Sequence, residues 1–200
     1  MKRHPFALIL AGAAALTLAG CATGPSPVEV TRFHDPMRLA AAERGTVQVT
    51  AAPGITDTLA LAPYRAAVAE ELRQLGYNIT DSSTARYRAE ISVDRFVRGP
   101  EGRRSPVSVG VGGSTGSYGS GLGLGVGINL GGSGERAGTE LAVALRDTGA
   151  NANIWEGRAE VDYGLRSDYA DARANAEVLA DALFREFPGN SGETVRIDVN

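Results

Sequence analysis

Lysine is all but missing from this chain: Lys2 is the only one in 200 residues. Schiff-base chemistry and a lysine-bearing phosphate loop both need that residue, so neither has a candidate beyond the N-terminus. Histidine occurs twice, as His4 and His34, and cysteine once, as Cys21; the usual zinc sites take more imidazole and sulfur than that. A serine-histidine-aspartate triad would have to recruit His34. That residue precedes Asp35-Pro36 in a segment that reads as a sheet edge, with its ring in water. Aromatic residues are scarce too, with six Tyr, five Phe and one Trp, which implies a closely packed core of small aliphatic side chains. Positive charge is in deficit: from Cys21 onward 18 arginines face 23 carboxylates, a net −5, and no nucleic-acid footprint is present. The expectation is a non-enzymatic chain with no metal, no cofactor and no nucleic-acid partner.

What is present begins with Leu18-Ala19-Gly20-Cys21. Lys2 and Arg3 make a positive n-region, Phe6 to Leu18 an apolar h-region, and small residues precede the cut between Gly20 and Cys21, the layout of a secretory signal. The apolar run is shorter than the ~20 residues a membrane span requires. The four residues resemble a bacterial lipobox, which implies a diacylglyceryl thioether on Cys21, cleavage after Gly20 and acylation of the new N-terminus. With Cys21 committed to lipid, no cysteine nucleophile is left. Several acyl chains at ~0.8 kcal/mol per buried methylene hold a protein firmly. Ala22 in place of Asp implies, by the same resemblance, transport to the outer membrane with the domain facing the periplasm. The expected organisation is a signal peptide over residues 1–20, a lipidated Cys and tether over 21–27, and one domain over 28–200.

Within that domain, Val28, Val30 and Phe33 suggest a strand, Met37 to Glu43 a helical turn, and Val47 with Val49 a second strand. Leu61 to Leu75 reads as a helix, with Pro63 in its first turn, Tyr64, Val68, Leu72 and Leu75 on one face, and Gly76 as its stop. Three long strands are expected. Tyr87 to Arg98 places Tyr87, Ala89, Ile91, Val93 and Val97 on one face, where Arg95 interrupts; Thr139 to Asp147 turns Leu141, Val143 and Leu145 inward. A third, from Ile154, buries Trp155, Gly157, Ala159, Val161 and Tyr163. Arg95 reads either as an anion-holding group or, preferred here, as a rim arginine with its head in water. Glu156, Arg158, Glu160 and Asp162 line the other face of the third strand. A carboxylate hydrolase using Glu156 and Asp162 ranks below a solvated, charge-paired face. A last helix from Asp168 to Phe187, capped by Ser167 or Asp168 and packing through Ala172, Ala176, Leu179 and Leu183, precedes a strand of Val195, Ile197 and Val199. The fold class expected is α+β, a two-layer sandwich of mainly antiparallel sheet with two packed helices.

Gly99 to Gly134 is the other unusual stretch. Val107, Val109 and Val111, then Leu122, Leu124, Val126, Ile128 and Leu130, alternate with glycine and small polar residues, as in two strands of a long hairpin turning through Gly113 to Gly119. A nucleotide loop does not fit, because Gly132-Ser-Gly134-Glu-Arg-Ala137 leads into a strand. Ser120 to Leu130 has the length of a transmembrane strand, so an oligomeric membrane hairpin competes with an arm packed on its own domain; the arm is preferred.

The order of these pieces resembles the domain-of-unknown-function family 4136 of bacterial envelope lipoproteins. The resemblance rests on the helix ending Leu72-Arg-Gln-Leu75-Gly76-Tyr77, the glycine-rich insertion, Gly138-Thr-Glu-Leu141-Ala-Val-Ala-Leu145-Arg-Asp147, Ile154-Trp155-Glu-Gly157-Arg-Ala159 and the closing helix to Phe187-Pro188. It implies fold and location and carries no catalytic residues. Three functions follow in order: an outer-membrane lipoprotein acting as a structural or interaction module, meeting an envelope protein or a second copy; a lipid-anchored subunit of an oligomeric pore or secretion assembly with the hairpin as membrane element; and the hydrolase.

Overall fold

Two-residue alternation of apolar and polar side chains shapes most of the chain that the computed structural model describes, residues 26–98, 104–106 and 136–199. The elements are β1 (Val28–His34), α1 (Pro36–Ala41), β2 (Thr46–Ala51), α2 (Ala62–Gln74), β3 (Asn78–Ile79), β4 (Tyr87–Arg98), β5 (Arg104–Pro106), β6 (Arg136–Asp147), β7 (Ala152–Gly164), α3 (Ala172–Phe184) and β8 (Thr194–Ile197). The strands form one sheet in the order β3-β2-β4-β6-β7-β1-β8, and β5 pairs with the end of β4 that β2 does not reach. The α+β class expected from sequence is the one found.

The sheet is mixed, because β2 runs parallel to both β3 and β4. A helix separates β2 from these strands in sequence, and a crossover of that kind returns the chain in the same direction. The rest is antiparallel. β4 and β6 pair over their whole length from Tyr87↔Asp147 to Arg98↔Arg136, and β7 continues from β6 through a tight turn.

α2 and α3 pack against one face of this sheet. In α2, Pro63 sits in the first turn, and Tyr64, Val68 and Leu72 are buried. Gly76 (φ +88) closes it: its N–H donates to Arg73 O and the Tyr77 N–H to Leu72 O, the paired bonds that only a left-handed residue at this position permits. Asp171 caps α3 by accepting from the Arg173 and Ala174 amides at 2.9 and 3.1 Å. α3 therefore starts later than the sequence predicts, because Ser167 caps a separate 3-10 turn at Asp168–Ala170. It also ends earlier, at Phe184, where the backbone leaves the helix and Glu186 takes φ +58.

Trp155 anchors the core. It is 1% exposed, stacks on Phe184 at 5.3 Å and donates from Nε1 to Pro188 O at 3.1 Å. A Cβ on Gly157 would lie 2.4 Å from the indole and 2.8 Å from Leu183, so the glycine is what lets the ring lie flat beneath α3.

Two expectations for the first strand need correction. β8 pairs with β1 only from Val28 to Thr31, so β1 is an interior strand there and an edge only at its His34 end, and His34 is half-buried opposite Trp155 with Nδ1 buried, which corrects the ring in water. Phe33 faces outward and is 54% exposed, while Arg32 takes the inward position, since strict alternation from Val28 and Val30 dictates it. Gly20, Cys21 and most of the glycine-rich insertion lie outside the described residues.

Candidate functional site

The helices cover one face of the sheet; the opposite face carries no second layer among the described residues. Its centre is a shallow trough of about 440 Å³. Short side chains make the floor, namely Ser92, Ala142 and Ala144 on adjacent strands, and Phe33 stands at one end with Ala52 at the other. Glu90 and Glu156 flank Ala144 in register, one on each neighbouring strand.

The carboxylate row of β7 lies on this face, as expected, and Arg98 neutralises Glu160 and Asp162 within it. Arg98 reaches Asp162 at 2.7 Å and also pairs with Glu160. Those partners, Asp162 first, hold its guanidinium above the ordinary arginine range. Arg158 meets Glu140 at 3.1 Å, Arg196 meets Glu29 at 2.9 Å, and Glu156 accepts from Asn153 at 2.6 Å. Glu156 and Asp162 thus engage separate partners and do not converge on one point where a reacting bond could sit. Beyond them Phe96 is 5% exposed although it points to this open side. Its ring lies over Gly138, where a Cβ would be 2.2 Å away, with the Arg98 guanidinium 5.1 Å from its centre.

On the covered face three polar residues are buried outright, and sequence reading identified none of them as such: Arg32, Thr139 and Asn175. Arg32 donates to the carbonyls of Ala182, Leu183 and Arg185 at 2.8 to 2.9 Å, supplying the C-terminal end of α3 with both charge and donors. Burial lowers its pKa, and Glu186 offsets part of that. Asn175 accepts from the Tyr64 hydroxyl at 2.9 Å and donates to Tyr169 O at 3.1 Å; Thr139 Oγ1 and the Tyr163 hydroxyl share a bond at 3.0 Å. Burial raises the Tyr64 pKa, with Arg95 and Thr139 acting against it. Arg95 belongs to this cluster. Its Nε and Nη2 are buried, which corrects the expectation of a head in water.

Over 240 aligned positions, 97% of this chain and 87% of the relative, the sequence is 30% identical to the uncharacterized protein ZMO1243 of Zymomonas mobilis. The chain belongs to the family of that protein. No family model matches it. Among solved structures it is similar to a PelC dodecamer from Paraburkholderia phytofirmans, with TM-score 0.45 and 17% identity over 78% of this chain and 94% of that one. It is also similar to a PDZ domain protein from Parabacteroides distasonis, with TM-score 0.42 and 9% identity over 88% of this chain and 40% of that one. Among the described residues no helix is long and apolar enough to cross a membrane, and no group of three or more His, Cys, Asp or Glu could hold a metal ion.

Proposed function

We propose that this protein is an outer-membrane lipoprotein, anchored through Cys21 and facing the periplasm, that works without catalysis as an interaction module of the cell envelope. The observation that carries the reading is the open sheet face, with a small-residue trough at its centre and the ion pairs Arg98–Asp162, Arg158–Glu140 and Arg196–Glu29 around it. A face made for acid-base chemistry would bring its carboxylates together on one point; here Glu90 and Glu156 stand on separate strands with Ala144 between them, and the floor is open and shallow, as contact with a partner requires. The lipobox and the resemblance to family 4136 lipoproteins support the location. The partner on this reading is another folded protein of the envelope or a second copy of the chain.

Mass spectrometry of the mature N-terminus, from protein purified out of bacterial membranes, tests the anchor. The expected product begins at Cys21 and carries three acyl chains. A chain still beginning at Met1, or an unmodified Cys21, overturns the proposal.

A further inference from the structure

Arg95 presents an unused fork. It projects from β4 on the helix-covered side, in register with Thr139 of β6. Nε and Nη2 are both buried and meet no hydrogen-bond partner, while the residue as a whole is only half-buried. The guanidinium therefore sits just beneath the rim of the layer interface. Nε–H and the neighbouring Nη2–H point the same way, and two parallel donors at this spacing match the two oxygens of a carboxylate or phosphoryl group.

The surroundings explain why the protein does not close that fork itself. The Tyr64 hydroxyl donates to Asn175 at 2.9 Å while its oxygen stays within reach of Arg95, but it meets neither Nε nor Nη2. Asn175 is in turn engaged with the Tyr169 carbonyl, and Thr139 with Tyr163. Asp171 feels the Arg95 charge, and its Oδ1 accepts from the Arg173 and Ala174 amides as the cap of α3. Leaving the Nε and Nη2 donors buried and unmet costs folding free energy. Of the two hydroxyls on Thr139 and Tyr163, the one that accepts in their mutual bond keeps its own proton for another acceptor. This is a cradle of donors around a cation.

We infer that Arg95, with the Thr139–Tyr163 hydroxyl pair beside it, forms an oxyanion subsite that takes the terminal carboxylate or phosphoryl group of a small ligand side-on. The subsite is distinct from the trough on the opposite face, so it stands or falls independently of the interaction reading above. The nearby Asp171 charge opposes binding and limits it to groups that fill both arms of the fork.

The test is an NMR titration of the full-length protein, 15N-labelled and held in detergent micelles, observing the Arg95 Nε–H signal assigned through its loss in Arg95→Met. Sodium acetate and inorganic phosphate are the probes, with sodium chloride at matched ionic strength as reference. A saturable shift of that signal with acetate identifies a carboxylate site, and one with phosphate a phosphoryl site; either supports the inference. Arg95→Lys keeps the charge but lacks the fork, and should weaken the apparent affinity at least tenfold, read from the Thr139 and Tyr163 backbone amides. If Arg95→Met fails to fold, its assignment role passes to Arg95→Lys and the wild-type titration decides. A response to acetate and phosphate that is linear and indistinguishable from that to chloride overturns the inference, as does unchanged affinity in Arg95→Lys.

Discussion

The two faces of one sheet differ in how they treat polar groups. On the covered face the large buried side chains hold their polar atoms in a single geometry: Trp155 on Pro188 O, Arg32 on three carbonyls, Tyr64 on Asn175. On the open face the same strands carry ion pairs whose members stay in contact with water, such as Arg158–Glu140 and Arg196–Glu29. Burial makes the first set specific and expensive to disturb, and solvent makes the second cheap to rearrange. The difference teaches where evolution has room to vary a contact surface without endangering the fold.

Mutations on the two faces should therefore separate by size. Trp155→Ala removes the largest fully buried side chain and should cost about 3–5 kcal/mol, mostly from the cavity left beneath α3. Chemical denaturation gives the number, and a midpoint close to wild type would mean that the indole is not a core element. Arg32→Met keeps the length of the side chain but leaves the carbonyls of Ala182, Leu183 and Arg185 without their donor. A loss of about 2–4 kcal/mol is expected, with early hydrogen exchange at the end of α3.

Asp171→Ala should produce a smaller, pH-dependent loss. The Ala174 amide, then the Arg173 amide, hold the Asp171 carboxyl below its ordinary 3.8. A folded-state pKa below the unfolded one contributes stability that is complete above the unfolded value and disappears as pH falls through the folded value. The variant and the wild type should differ at pH 6 and converge near pH 2; a difference that persists in acid would show that the carboxylate charge is not what caps the helix.

Arg98→Gln, on the open face, deletes the ion pairs to Glu160 and Asp162, whose side chains are 14% and 23% exposed. The expected cost is about 1 kcal/mol or less. A loss matching that of Arg32→Met would erase the distinction between the faces. Smallest of all should be replacement of residues 107–133 by a short Gly-Ser turn, since β4 and β6 already pair from Arg98↔Arg136 onward and a shorter closure costs slightly less entropy. The melting temperature should move by no more than a few degrees.

Alternation made most of this legible in the sequence. The inward residues of β4, β6 and β7 and the apolar stripe of α2 follow from periods of 2 and 3.6, and the buried Trp155 falls on the expected face. Arg32 escaped because residue type and register disagree: Phe33 looks like the core residue and Arg32 like the surface one, yet counting from Val28 and Val30 places Arg32 inside. That count was the available signal. The parallel pairing of β2 escaped because six residues of mixed polarity carry little information about direction. Asn175 and Arg95 show their roles only when helix and sheet residues far apart in sequence come together.

Comparing contacts from the two sides of the molecule within the membrane tests the central claim most directly. A photocrosslinking side chain is placed at Ala144, in the trough, or at Glu177, on the exposed side of α3, in the full-length protein expressed in bacteria. Position 144 should give a protein adduct of one defined mass, position 177 none, and Ala142→Arg should abolish the adduct while leaving the denaturation midpoint within about 0.5 kcal/mol of its original stability. Adducts that form from position 177 alone, or that survive Ala142→Arg unchanged, would contradict the assignment of the open face as the surface this protein uses.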